Sequence, residues 1–160
     1  MFRKVAFVYM TAVVCSLSAV SYTHAATTQL NINGTVSTSC AFTGTTSGVL
    51  AVSPNTPNIM STGAVGGSAG TASISFTGTP TLTVTEITGF DSVPSGYSPT
   101  FSVSNTVSSG LLGALSFSSG VASGVYSSGN SDTVTVTLGV ASSAPYITGN
   151  YTAHSTLTCQ

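Results

Sequence analysis

Charge is what this chain has least of. Two basic and three acidic residues make up 3% of its 160 positions, and tryptophan is absent. Nucleic-acid binding through counterion release needs several Lys or Arg against phosphates, so composition excludes it, and an anionic membrane surface is disfavoured for the same reason. Low charge combined with 41% hydrophobic residues also excludes a disordered, solvating chain. Both cations, Arg3 and Lys4, precede an uncharged stretch from Val5 to Ala25, so residues 1–25 read as a secretory signal peptide. Its apolar run, Val5 to Val20, is short for a membrane span, and Thr23-His24-Ala25 offers small residues for cleavage after Ala25. The remainder, residues 26–160, is expected to form one domain with no membrane span, burying roughly 68% of its unfolded surface. Its only charges are Glu86, Asp91 and Asp132. A surface this close to neutral has little repulsion between copies and suits a protein that packs against itself.

Cysteine is nearly as scarce. Cys15 leaves with the signal segment, and a bulky Val14 before it argues against a lipid anchor, which leaves Cys40 and Cys159. In an exported protein such a pair is expected to be bridged, tying the first strand to the last. The chain-entropy model credits a loop of that size with about 4–5 kcal/mol.

What the sequence has in quantity is Ser, Thr, Gly and β-branched residues arranged with period two. No stretch after residue 25 sustains helical apolar spacing. Alternating runs are expected as strands at Thr71 to Phe76, Thr81 to Ile87, Phe101 to Asn105, Asp132 to Val140 and Tyr151 to Cys159. In the fourth of these, Val134, Val136, Leu138 and Val140 share one face, and Thr133, Thr135 and Thr137 the other. Leu30, Ile32, Gly34, Val36 and Cys40 continue one phase near the start, giving an expected N-terminal strand over 28–38, and Val49 to Val52 is a shorter run. Turn clusters at Asn55-Thr56-Pro57, Gly66-Gly67, Pro94-Ser95-Gly96 and Ser128-Gly129-Asn130 separate the runs. The expected fold is all-β: an immunoglobulin-like Greek-key β-sandwich of about 7–9 strands. Irregular strand spacing speaks against a solenoid.

The chemical inventory is thin. After residue 25 there is one histidine, His154, with three carboxylates and no lysine or arginine. A Ser-His-Asp triad can assemble from any spacing, but no nucleophile-elbow pattern is present. His154 alternates with Thr152, Thr156 and Thr158 and reads as an outward residue of the last strand. Glu86 falls in phase with Leu82 and Val84, where a lone inward carboxylate would be costly, so a bulge or strand end is expected at Thr85-Glu86. Zinc needs three or four clustered His and Cys, and calcium several oxygens on one loop; neither set is present, and no cofactor is expected. The Gly63 to Gly70 stretch lacks the lysine and helix of a phosphate cradle and reads as a loop. Outward threonines with tyrosines could instead form a sugar- or ice-binding face.

Ala26-Thr27-Thr28-Gln29-Leu30-Asn31-Ile32, then Gly34-Thr35-Val36 and Cys40-Ala41-Phe42, resembles the start of a bacterial chaperone-usher pilin, including the spore-coat-U-like branch of fimbrial subunits. In that family an incomplete immunoglobulin-like sandwich is completed by the N-terminal extension of the next subunit. The resemblance implies that Leu30 and Ile32, with Val36, act in strand donation and assembly, and that Cys40 is the first-strand cysteine. It implies self or related subunits as partners, with a periplasmic chaperone and an outer-membrane usher, and a path from the periplasm to the cell surface. Two features depart from the family pattern: the second cysteine is penultimate instead of on the second strand, and the extension is short. The expected function is a non-catalytic structural subunit of a surface fibre or coat. The alternative is a monomeric extracellular adhesin or carbohydrate-binding module, with a hydrolase using His154 third.

Overall fold

The structure, a computed structural model, describes residues 34–160. Ten strands form: β1 (Ser39–Thr46), β2 (Ala51–Ser53), β3 (Thr56–Ser61), β4 (Gly70–Thr77), β5 (Thr81–Thr85), β6 (Phe101–Ser109), β7 (Gly113–Leu115), β8 (Val121–Val125), β9 (Ser131–Ser142) and β10 (Leu157–Cys159). The described residues contain no helix. The all-β expectation holds, and every strand pairing is antiparallel.

The run of alternating Val and Thr becomes the organising element. β9 pairs with β4 through its first half and with β3 near its end, while β6 lies along its other side. β1 extends this sheet beyond β4, β2 beyond β3, and β7 beyond β6. Val134, Leu138 and Val140 are buried, as the alternation requires. On the outward side Thr137 Oγ1 lies 2.6 Å from Thr106 Oγ1 on β6, so the threonines satisfy one another there. The second sheet has three strands in the order β10-β5-β8. Ile74, Phe76, Val107 and Val134 from the first sheet meet Leu82 and Val84 of β5, with Tyr126, in one buried cluster. Two sheets sharing a core in this way are consistent with a β-sandwich.

Several boundaries differ from expectation. Of the expected strand at 28–38, the described part, 34–38, has no ladder partner, and the first strand starts at Ser39. Residues 28–33 lie outside the described residues. β5 stops at Thr85, and the amide of Glu86 donates to the Gly120 carbonyl, so the strand end accounts for Glu86 without a bulge. The expected strand Tyr151 to Cys159 pairs as a ladder only at Leu157–Cys159. β3 was hidden by Pro57. That proline precedes the stretch Ile59–Ser61 that pairs with β9, so its missing N–H removes no ladder bond there.

The disulfide is formed as expected. Cys40 of β1 and Cys159 of β10 are bridged at a Cα separation of 5.8 Å, which joins the outer strands of the two sheets.

Candidate functional site

The larger sheet has more inner face than the three-stranded sheet covers. Where β10 gives way to the preceding segment, a groove of about 790 Å³ opens between the sheets. Its floor is core material: Met60 from β3, Ala72 from β4, Val136 and Leu138 from β9, and Ile87 after β5. One wall is the end of β1 and the turn after it, Thr45 to Leu50; the other is the C-terminal segment from Gly149 to Leu157. The volume falls within the roughly 300–1,000 Å³ of ordinary ligand clefts.

Both walls end in unpaired backbone. β1 is paired to β4 along one side only. In the C-terminal wall, Thr152 exchanges bonds with Asp91 and Ser92, Thr156 accepts from the Thr85 amide, and β10 pairs with β5, all on the side away from the groove. Because backbone groups alternate in direction along extended chain, the N–H and C=O of Ala153, Ser155 and Leu157 face the other way. Among the described residues they form no backbone hydrogen bond. An apolar floor between two such edges is the geometry that accepts an added strand.

The C-terminal wall is held by side chains behind it. Tyr151 packs against Phe90 at 5.3 Å and edge-on against Tyr146 at 5.2 Å between ring centroids, and its hydroxyl donates to the Ile147 carbonyl at 3.0 Å. Burial, then the neighbouring Tyr97 and Tyr151, push the Tyr146 hydroxyl up to about 12, so it stays a neutral donor to the Val140 carbonyl. Ser92 and Thr152 share a hydroxyl bond of 2.7 Å. His154 Nδ1 lies 2.7 Å from Asp91 Oδ2, with the two side chains 75% and 44% exposed.

That pair sits beside a smaller hollow lined by Glu86, Asp91, His154 and Thr156. It supplies an acid and an imidazole, yet no serine lines the hollow, and the hydroxyl of adjacent Ser155 is committed to the Thr85 carbonyl at 2.6 Å. Among the described residues no group of three or more His, Cys, Asp or Glu is placed to hold a metal ion.

The remaining carboxylate is structural. Asp132, at the start of β9, accepts from the hydroxyls of Ser109 and Tyr126, the latter at 3.0 Å, and from the amides of Leu111 and Thr133. Burial alone would raise its pKa, but these donors, Ser109 foremost, hold it below the usual carboxylate value. Burial, and then the bond to Asp132, push Tyr126 up to about 12.

Of the residues singled out in the sequence, Cys40 and Cys159 meet, and His154 lies at the groove rim and exposed. Val36 is 80% exposed and touches none of the groove, while Leu30 and Ile32 lie outside the described residues. The floor and walls were not foreseen. The one available signal was that the Tyr151 to Cys159 alternation outlasts the ladder it was expected to join.

Comparison with protein-family models, with curated proteins and with solved structures finds no match. Function rests on the groove.

Proposed function

We propose that this chain is an exported structural subunit of a surface fibre or coat, and that copies join when the extension of one fills the groove of another. On this reading the two sheets form an incomplete immunoglobulin-like Greek-key sandwich, as in chaperone-usher pilins. Its partners are copies of itself or related subunits, delivered by a periplasmic chaperone and an outer-membrane usher. The observation that carries the reading is the pair of unpaired backbone edges flanking an apolar floor. Leu30 and Ile32 are the inserted anchors, with Asn31 and Asn33 turned outward; a one-residue slip would bury the asparagines.

Magnitudes favour full pairing over anchoring alone. Burying Leu30 and Ile32 contributes about 1.5–3 kcal/mol each. Association costs about 4–15 kcal/mol. The difference is made up by main-chain bonds at about 0.5–1.5 kcal/mol each, available along both walls.

Deleting Thr27 to Asn33 tests the proposal. The shortened protein is expected to be exported and soluble but to form no polymer on native gels. An unchanged polymer ladder would overturn it.

A second reading, a monomeric carbohydrate-binding module, draws on the outward face of the larger sheet, where hydroxyls such as those of Thr106 and Thr137 stand in cross-strand pairs without charge. Under it the intact protein runs as a monomer in size-exclusion chromatography and is retained on a glycan column.

A further inference from the structure

The two walls of the groove meet at one end. At Cys40 and Cys159, β1 and β10 stand 5.8 Å apart between Cα atoms, near the roughly 4.7–4.9 Å of adjacent strands, so no third strand passes between them there. Towards Thr46 and Gly149 the same two walls separate around the groove, and among the described residues no backbone bond joins them. We propose that the Cys40–Cys159 disulfide is an end stop, which admits a strand from the Gly149 end, halts it near Leu157 and so fixes its register and length. This rests on the strand-accepting reading above.

The stop also fixes direction and donor. In any copy the folded domain follows closely on residue 33, with β1 beginning at Ser39. A body of that size stays outside the groove, so the donor's C-terminal end lies at the open end and its N-terminus points at the disulfide. The inserted strand therefore runs antiparallel to the wall from Gly149 to Cys159. The described chain enters beside the β4–β5 turn, where Thr77 Oγ1 donates to the Ser37 carbonyl at 2.9 Å and a Cβ on Gly78 would lie 2.8 Å from Thr38 Oγ1. That is the Cys40 end of β1, the closed side of the stop. A strand from a second copy enters at the open end. Each contact then joins the entry side of one subunit to the open end of the next, a head-to-tail arrangement that grows without closing.

Synthetic peptides acting as chain terminators test this on the intact exported protein. One peptide spans residues 26–33; the other carries four added residues, Thr-Val-Thr-Val, at its N-terminus. With the disulfide intact, the concentration that halves polymer formation should agree within about twofold for the two, because the added residues find no groove. In Cys40→Ser/Cys159→Ser the longer peptide should cap at about tenfold lower concentration, the gain that roughly 1.4 kcal/mol of added pairing gives. A tenfold gain in the oxidised protein, or none in the variant, would overturn the end stop while leaving strand acceptance standing. Failure of both peptides to cap would overturn strand acceptance itself. Should the variant not fold, a photo-reactive group on the N-terminus of the 26–33 peptide decides the matter on the native protein. Labelling is expected at Leu157 to Gln160 and next to Cys40, and labelling at Thr46 to Leu50 or Gly149 to Thr152 would overturn the proposal.

Discussion

Asp132 shows how few charges this protein can spare for its surface. It joins the start of β9 to the β6–β7 connection through Ser109 and Leu111, and to the fully buried Tyr126. Asp132→Ala would strand the Tyr126 hydroxyl in the core, which costs about 1–3 kcal/mol. Tyr126→Phe removes the donor together with its need and should cost less; thermal unfolding of the two variants checks the order. The pH dependence has a definite sign. Because the folded-state pKa of Asp132 lies below its unfolded value, its contribution is present above the unfolded carboxylate range, near 4, and is lost as pH falls through the folded value. Denaturant melts of the native protein between pH 7 and pH 2 should therefore show an acid loss that Asp132→Asn diminishes. None of this was legible in the sequence, where Asp132 read only as the first residue of a strand. Its partners lie up to 23 positions away, and period-two patterning carries no information about them.

Among the elements, those with an apolar face and a polar face were readable, and those shaped by a neighbour were not. β4, β5, β6 and β9 follow their alternation to within a few residues. β8 escaped because Gly124 interrupts it, and the structure gives the reason: a Cβ there would stand 2.9 Å from Leu112 Cδ1 and 3.1 Å from Leu115 Cδ2. A side chain there would make leucines at the other sheet's margin shift. The C-terminal wall failed in the opposite sense, since its alternation is strand-like while its groove side has no partner. That wall is held mainly by Tyr151 in its aromatic setting and by the Ser92–Thr152 bonds, with the exposed His154–Asp91 pair adding little. His154→Ala should lower stability by under about 1 kcal/mol and leave polymer formation intact. Tyr151→Ala, which empties the space between Phe90 and Tyr146, should cost several times more, as urea titration of the pair would show.

At the scale of the whole molecule, neutrality, the disulfide and the groove support a single account. The disulfide links two sheets across a sequence separation of 119 residues, for which chain entropy credits about 4–5 kcal/mol. That staple ties the outer strands of the two sheets together beside the groove. The pairing of the cysteines was legible from their number once residues 1–25 were set aside; the groove was not, because its floor residues, Met60, Ala72, Ile87 and Leu138, are buried like those of any other apolar strand face. Hydrogen exchange at Ala153, Ser155 and Leu157 tests the central claim most directly, comparing assembled protein with the form lacking Thr27 to Asn33. Their amides should exchange freely in the truncated form and become protected on assembly; equal exchange in both would mean that no strand enters the groove.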